Sequence, residues 1–468
     1  LDYYIRRVVI SDLFESGNNY RIDFSEGCNC IFGPNGTGKT TIINLIVNSL
    51  SVDLEPLSRI SFGSITVFLA KTGQVRAFRY LHLSRRRKLQ GIVNLYYEFE
   101  SAVTYAFEMK LRGGVAKISE RLDENPPEEL RDKIRERLNL THVPLLRMHD
   151  SEINMSRDSG DEFLQTMLRQ KHISQSQITE ILDPSVKVLN SLERQFVSEA
   201  NSARKKITEK LDDLRSKIIE KVMIDESLVR LSNRALSRAH KAMNSDFLED
   251  VDVSAYVRKL SEAQINVPEV KIKEHFSIWK QLNDNVRDAF KIMRSLGTSE
   301  KGTKKHNEAA TKFNSSYYNL IAMSNFNDRF LSIVEDVELM QAARFEVTRV
   351  FSEYEKEVNL YLKPKKMFHV SEDGELSVMT RTSHIRLSDL SSGEKHIISI
   401  LGRAALSRKE GAIFVADEPE LSLHLDWQRM ILPSIAKLSP KSQVIIATHS
   451  PAIRMRGAKD IDLEECMV

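Results

Sequence analysis

The sequence predicts an α/β fold built around a parallel sheet and interrupted by a long α-helical insertion. Three observations carry that expectation. An apolar strand at residues 28–32 runs into a glycine-rich turn and then a helix at 41–50. Two more apolar runs, at 412–416 and 444–447, each end in a polar cluster, as buried parallel strands do. Between these halves, prolines thin out to Pro184 and Pro268, and apolar residues recur at steps of three and four.

In chain order, residues 6–10, 20–24, 28–32, 64–69 and 95–100 read as strands, many with alternating apolar and polar positions. A turn at 125–129 opens a charged helix, and 143–146 reads as a short buried strand. One amphipathic stripe runs from Val188 through Leu192, Phe196 and Ala200 to Val222, and a second from Phe313 through Tyr317 and Val337 to Val358. Breaks near 225–233, 246–252 and 297–302 divide the helical stretch. Two short strands flank Glu372-Asp373-Gly374, where the Asp-Gly pair sets a hairpin. The division expected is an N-terminal lobe at 1–155, a helical insertion at 156–362 and a C-terminal lobe at 363–468.

Composition excludes some classes. Of 468 residues, 41% are apolar and 28% charged, and no apolar run is long enough to cross a bilayer. The N-terminus lacks the basic and apolar regions of a secretory signal, so a soluble, cytoplasmic protein without membrane partners is expected. Three cysteines do not make a disulfide framework, and Cys28 and Cys30 read as core residues of a strand. A net charge of +3 permits local contact with nucleic acid without arguing for it. The basic run Ser84-Arg85-Arg86-Arg87-Lys88 reads as a solvated loop between strands, with phosphate or acidic-partner docking as the other reading.

The chemistry is concentrated in four segments. Gly33, Pro34, Asn35, Gly36, Thr37, Gly38, Lys39 and Thr40 match the phosphate-loop pattern G-x-x-x-x-G-K-[S/T], between a strand and a helix that begins at Thr41. Glycines let successive N–H groups face the phosphates, Lys39 reaches the β and γ phosphates, and Thr40 is placed to hold Mg²⁺. The strand at 412–416 delivers Asp417 and Glu418, the first suited to Mg²⁺ and the second to orienting and polarising water. Leu390-Ser391-Ser392-Gly393-Glu394-Lys395 places a serine and a glycine at the start of a helix at 396–406, a second anion site. His449 follows the strand at 444–447.

In this order the segments resemble those of ABC-type ATPases, with residues 390–395 similar to the LSGGQ-type signature, 420–426 to the D-loop and His449 to the switch histidine. The resemblance implies ATP and Mg²⁺ as ligands and an ABC-ATPase head, a phosphate-loop α/β core with an antiparallel β subdomain. It also implies a head-to-tail homodimer in which Ser391, Ser392, Gly393 and Glu394 of one protomer approach the ATP bound by Gly33–Thr41 of its partner. Glu418 and His449 are then the catalytic pair, and Thr40 and Asp417 the metal ligands. For the Q-loop, Gln74 and residues 143–147 are candidates; for an aromatic beneath adenine, Tyr20 and Phe24.

The helical insertion resembles the RecF, SMC and OLD branch. The segment Asp417–His424 with Asp426-Trp427-Gln428 is similar to OLD-like ATPases of anti-phage systems, of the Septu PtuA and PARIS AriA kind. That resemblance implies a nucleotide-dependent sensor and scaffold that controls a separate effector nuclease of HNH or Toprim type, since no Toprim segment is expected past His449. Larger even-numbered rings of the dimer, and DNA or a phage protein as further partners, stay open. So do two other roles, a RecF-like DNA repair or recombination ATPase and a nucleotide-gated structural scaffold.

Overall fold

Strand β3 (Cys28–Phe32) is buried on both faces and apolar but for Asn29, whose amide donates to the Ser25, Gly27 and Val444 carbonyls, and that burial selects an interior place in a parallel sheet. The computed structural model describes residues 3–34, 36–74, 76–88, 92–100, 103–112, 115–121, 127–143, 183–222, 252–262, 265, 267–296, 303–408 and 412–468. Within it β3 pairs with β14 (Gln443–Ala447) and β15 (Lys459–Asp462), and β14 continues to β13 (Ala412–Asp417) and β9 (Asn139–Val143), every pairing parallel. Parallel strands bring their C-terminal ends to one edge, so the residues after β3, β13 and β14 meet there.

A second sheet is antiparallel and seven-stranded, in the order β2 (Tyr20–Asp23), β1 (Tyr3–Ser11), β4 (Ser64–Lys71), β5 (Ala77–Arg87), β6 (Ile92–Phe99), β7 (Val103–Arg112) and β8 (Val115–Arg121). Helix α1 (Lys39–Ser51) packs between the sheets, its Ile42, Ile43, Leu45 and Ile46 fully buried in a core shared with β1, β4, β6 and β13. Helices α2 (Leu54–Arg59) and α3 (Pro127–Arg137) complete this layer. The basic run is not a loop: Arg85–Arg87 lie inside β5, paired with β6, and the Arg86 guanidinium sits 5.5 Å above the Tyr96 ring. Pairing with β6 along the run overrides the charge of the segment, and alternation carries Arg86 to the side of the sheet where Tyr96 meets it.

The chain divides into two compact units, Leu1–Ala200 with Val350–Val468, and Asn201–Arg349. Helices α4 (Pro184–Val222) and α7 (Lys304–Leu362) contribute to both. The second unit also contains α5 (Val253–Glu262) and α6 (Glu269–Ser295), with a core around Leu260, Ile272, Phe276 and Val337. In the first unit, Leu192 of α4 and Tyr354 of α7 crowd Gly402 on α8 (Ser392–Leu406), where an added Cβ would lie 2.6 Å from Leu192. The buried Tyr354 hydroxyl donates to the Ile398 carbonyl at 2.7 Å. A hairpin of β10 (Met367–Val370) and β11 (Leu376–Met379), extended by β12 (His384–Ile385), turns at Gly374 as its Asp-Gly pair predicts. Helix α9 (Leu425–Leu438) links β13 to β14. Among the described residues, no helix is long and apolar enough to cross a membrane.

Candidate nucleotide site

The loop after β3 folds tightly onto the start of α1. Gly38 caps that helix in the left-handed conformation, with φ 90°. A Cβ there would lie 2.9 Å from the Phe14 ring, so glycine is demanded twice over. Lys39 is almost wholly buried, and its ammonium donates to the carbonyls of Gly33 at 2.7 Å and Pro34 at 2.8 Å. Its charge is thus held against the loop backbone, where phosphate oxygens would compete for the same hydrogens. Thr37 donates to the Pro34 carbonyl at 2.9 Å. No acid stands in the first turn of α1, which leaves the positive end of the helix uncompensated by its own side chains. Asn35 lies outside the described residues.

Strand β13, buried throughout, presents Asp417 and Glu418 at the same edge. Both Asp417 carboxylate oxygens are buried and without a hydrogen-bond partner among the described residues. Burial pushes its pKa up to about 6, with Glu418 and Glu420 adding to the rise and Thr40 and Lys39 opposing it. The Thr40 hydroxyl therefore faces the carboxylate electrostatically without completing a well-formed hydrogen bond to it. A buried carboxylate with two orphaned oxygens, opposite a hydroxyl and near a lysine, suits a hard divalent cation such as Mg²⁺. Glu418 takes a left-handed φ of 45°, and its N–H donates to the Ala447 carbonyl at 2.8 Å, bending the chain away from the strand. Such strain in a non-glycine residue concentrates at working sites.

The third segment follows β14. Thr448 donates its N–H to Ile31 at 3.0 Å, so the switch loop is anchored between β3 and β13. His449 places Nδ1 3.8 Å from the Glu418 carboxylate and 3.4 Å from that of Glu420. A cleft lined by Phe32, Gly33, Pro34, His449, Pro451 and Arg454 opens beside the phosphate loop, with the Arg454 guanidinium 5.5 Å above the Phe32 ring.

The fourth segment is built as a helix start. Ser391 caps α8, with its hydroxyl accepting from the Glu394 N–H, and the Glu394 carboxylate accepts in return from the Ser391 N–H at 2.8 Å. Lys366 adds an ion pair to Glu394 at 2.8 Å. A Cβ on Gly393 would lie 2.8 Å from the Ser422 carbonyl, so the signature glycine packs directly on the D-loop of its own chain. Ser422 itself has φ 65°. Lys395 is buried and paired with Asp183 at 2.9 Å.

A family model described as an AAA ATPase domain matches residues 14–453, which takes in all four segments. The chain belongs to that family. No curated protein sequence matches it. Among solved structures, this AAA ATPase domain is similar to the Smc head domain of Pyrococcus furiosus with an extended coiled coil bound to the C-terminal domain of ScpA. Identity there is 11%, over 96% of this chain and 91% of that one, with a TM-score of 0.37. It is also similar to the Smc head domain with a coiled coil and joint from Pyrococcus yayanosii, at 14% identity over 96% and 93% of the two chains and a TM-score of 0.36.

In this AAA ATPase domain the expected residues gather in two places. Gly33–Thr41 apart from Asn35, with Asp417, Glu418 and His449, share the edge where β3, β13 and β14 end. Ser391–Glu394 sit with the D-loop at the start of α8. Two expectations change, and a third lies mostly outside the described residues. Tyr20 and Phe24 are buried in the core and present no ring to a ligand, because both pack beneath the seven-stranded sheet. Gln74 lies in the turn between β4 and β5, donating to Lys71, and belongs to that sheet. Of the segment 143–147, Val143 ends β9 and the rest lies outside the described residues. An exposed aromatic stands beside the phosphate loop instead: Phe14 is 48% exposed, has a left-handed φ of 67° and lies against Gly38. Its signal was faint: an aromatic in a polar turn, Asp12–Gly17, just after a strand.

Proposed function

We propose that this ATPase hydrolyses Mg²⁺-ATP as a head-to-tail dimer that closes around two nucleotides. The observation that carries the reading is the buried Asp417 carboxylate, orphaned opposite Thr40 and Lys39 at the mouth of the phosphate loop. Thr40 and Asp417 would hold the metal, which when bound neutralises charge on the phosphate oxygens. Lys39 and the loop N–H groups orient the triphosphate, and Phe14 offers a ring for the base. Glu418 accepts a hydrogen bond from the attacking water, and His449 steadies the terminal phosphate. The start of α8, with Ser392 and the N–H of Gly393, supplies a second anion site that the partner's nucleotide fits.

In this reading residues 1–155 and 363–468 form the head and 156–362 the insertion. The similarity of the segment Asp417–Gln428 to OLD-like defence ATPases supports a finer role, a sensor and scaffold that restrains a separate effector nuclease and releases it on infection. Glu418→Gln tests both levels. Turnover is expected to fall about a thousandfold with ATP still bound, and ATP is expected to drive the variant from monomer to dimer by light scattering. A variant that binds ATP yet stays monomeric removes the dimer, and one that leaves phage protection unchanged removes a defence role that runs on this ATPase.

A further inference from the structure

Three acids follow one another closely at the end of β13, and the third has no part in the chemistry above. Glu420 is 3% exposed. Its Oε1 accepts three hydrogen bonds from consecutive residues of the switch loop: the Thr448 hydroxyl at 2.5 Å, the His449 N–H at 3.1 Å and the Ser450 N–H at 3.2 Å. The same oxygen lies 3.4 Å from Nδ1 of His449, the ion-pair partner the structure gives this carboxylate. Its Oε2 is buried without a partner among the described residues. The loop is gripped from its other side as well. The Ser450 hydroxyl donates to Gln428 at 2.8 Å, and the Gln428 amide donates to the Leu423 carbonyl of the D-loop at 2.9 Å.

A neutral acceptor would satisfy the three donors, and a buried carboxylate is costly unless a partner answers its charge. Here the partner is an imidazole. Glu420 at 3.4 Å and Glu418 at 3.8 Å both face Nδ1, and carboxylates there favour the proton on that nitrogen, so Nε2 on the far edge of the ring is the atom left for a ligand. We infer that Glu420 is a positioning residue which anchors the switch loop at 448–450 and sets the orientation and tautomer of His449. The inference rests on the ATPase reading for its kinetic consequence but not for its structural one. Misplacing a group that contacts the reacting phosphate by about 1 Å costs on the order of a hundredfold, so a residue that never touches the nucleotide governs turnover through the histidine.

The test compares Glu420→Gln, His449→Gln and the double variant. Wild-type turnover, abolished in Glu418→Gln, establishes the ATPase reading separately. Glu420→Gln keeps the acceptor oxygen and loses the charge, and is expected to lower kcat about a hundredfold while KM and the affinity for a fluorescent ATP analogue stay within about threefold. Added to His449→Gln, it is expected to change little more, because both act through one ring. Losses that multiply overturn the inference. The readout that needs no turnover is the imidazole ¹⁵N spectrum, with His449 assigned by its disappearance in His449→Gln. A Nδ1-protonated ring in the wild type that becomes a tautomer mixture in Glu420→Gln supports the inference, and an unchanged spectrum sinks it. Should Glu420→Gln fail to fold, Thr448→Val removes one of the three donors and leaves the charge. A kcat lowered about threefold or more, and not further in combination with His449→Gln, is then the expected result, and additive loss the contrary one.

Discussion

The strand end at Asp417 and the helix start at Glu394 each carry a carboxylate, and their surroundings differ in kind. Around Glu394 every demand is met within the chain. Burial pushes its pKa up, but the hydrogen bond from Lys366 and those from Ser391 outweigh burial and hold it below the ordinary carboxylate value. Around Asp417 both carboxylate oxygens lack a hydrogen-bond partner among the described residues, and its pKa moves the other way, to about 6. One cluster is a finished helix cap; the other is an acid with unanswered oxygens, the place the proposed metal would take. Under the proposed dimer, the contrast also says which atoms of residues 391–394 would be available to a partner's nucleotide. The side chains of Ser391 and Glu394 are engaged with each other, which leaves Ser392 and the backbone N–H groups at the tip of α8.

The contrast is broken most directly at Asp417. Asp417→Asn is expected to lower Mg²⁺-dependent turnover by about a thousandfold or more while raising the stability of the nucleotide-free protein. The sign follows from linkage. The folded-state pKa of about 6 exceeds the ordinary carboxylate value of 3.8, so the folded form holds the proton more tightly between these pH values. Stability contributed by the protonated acid is full below pH 3.8 and lost as pH rises through 6. At pH 7.5 the ionised group therefore costs on the order of 2–3 kcal/mol, which the amide removes and a bound cation relieves. Thermal melts of both proteins at pH 5 and 7.5, with and without Mg²⁺-ATP, check it. Equal melting temperatures at pH 7.5 without ligand would mean that the carboxylate is satisfied after all.

A smaller effect is expected at Phe14. Its left-handed backbone is strained, as at Glu418 and Ser422, and its ring is exposed where Tyr20 and Phe24 are buried. Phe14→Ala is expected to weaken ATP binding about tenfold, in line with about 1–3 kcal/mol for one base stacked on an aromatic ring, with little change in kcat. Phe14→Tyr should bind as the wild type does. A loss in kcat with unchanged affinity would move Phe14 from base contact to loop support. Isothermal titration with ATP and with inorganic triphosphate separates the base from the phosphates.

What could be read from the sequence follows the same division. The phosphate loop, β3, β13 and β14 were legible because continuous apolar runs, glycines and adjacent acids have few other physical explanations. Strand β5 was hidden because a bulge opposite Val67 and Phe68 buries Tyr80 and Leu81 in succession, which breaks the period of two. Strand β15, Lys459–Asp462, buries only Ile461, and its place is set by pairing with β3 rather than by any pattern of its own. Glu420 read as the first residue of the D-loop, and its role in gripping residues 448–450 depends on a return of the chain that no local spacing encodes. Phe14 and Gly38 meet for the same reason, through strand pairing that brings the turn after β1 over the phosphate loop.

The least effect is expected from the finished cluster. Ser391→Ala removes both the acceptor for the Glu394 N–H and the hydroxyl that donates to Glu394 at 2.9 Å. Loss of such a cap costs about 1 kcal/mol, a shift of about 2 °C or less in the melting temperature of a chain this large. Lys366 still pairs with Glu394, so the helix start is loosened and not lost. If the nucleotide of a partner is met by Ser392 and backbone N–H groups, ATP-driven dimerisation of Ser391→Ala in the Glu418→Gln background should match that of the parent within about twofold. Dimerisation abolished while the melting temperature stays put would show that the Ser391 hydroxyl leaves its cap to bind phosphate, and the distinction between a finished and an open cluster would fail at the atom that defines it.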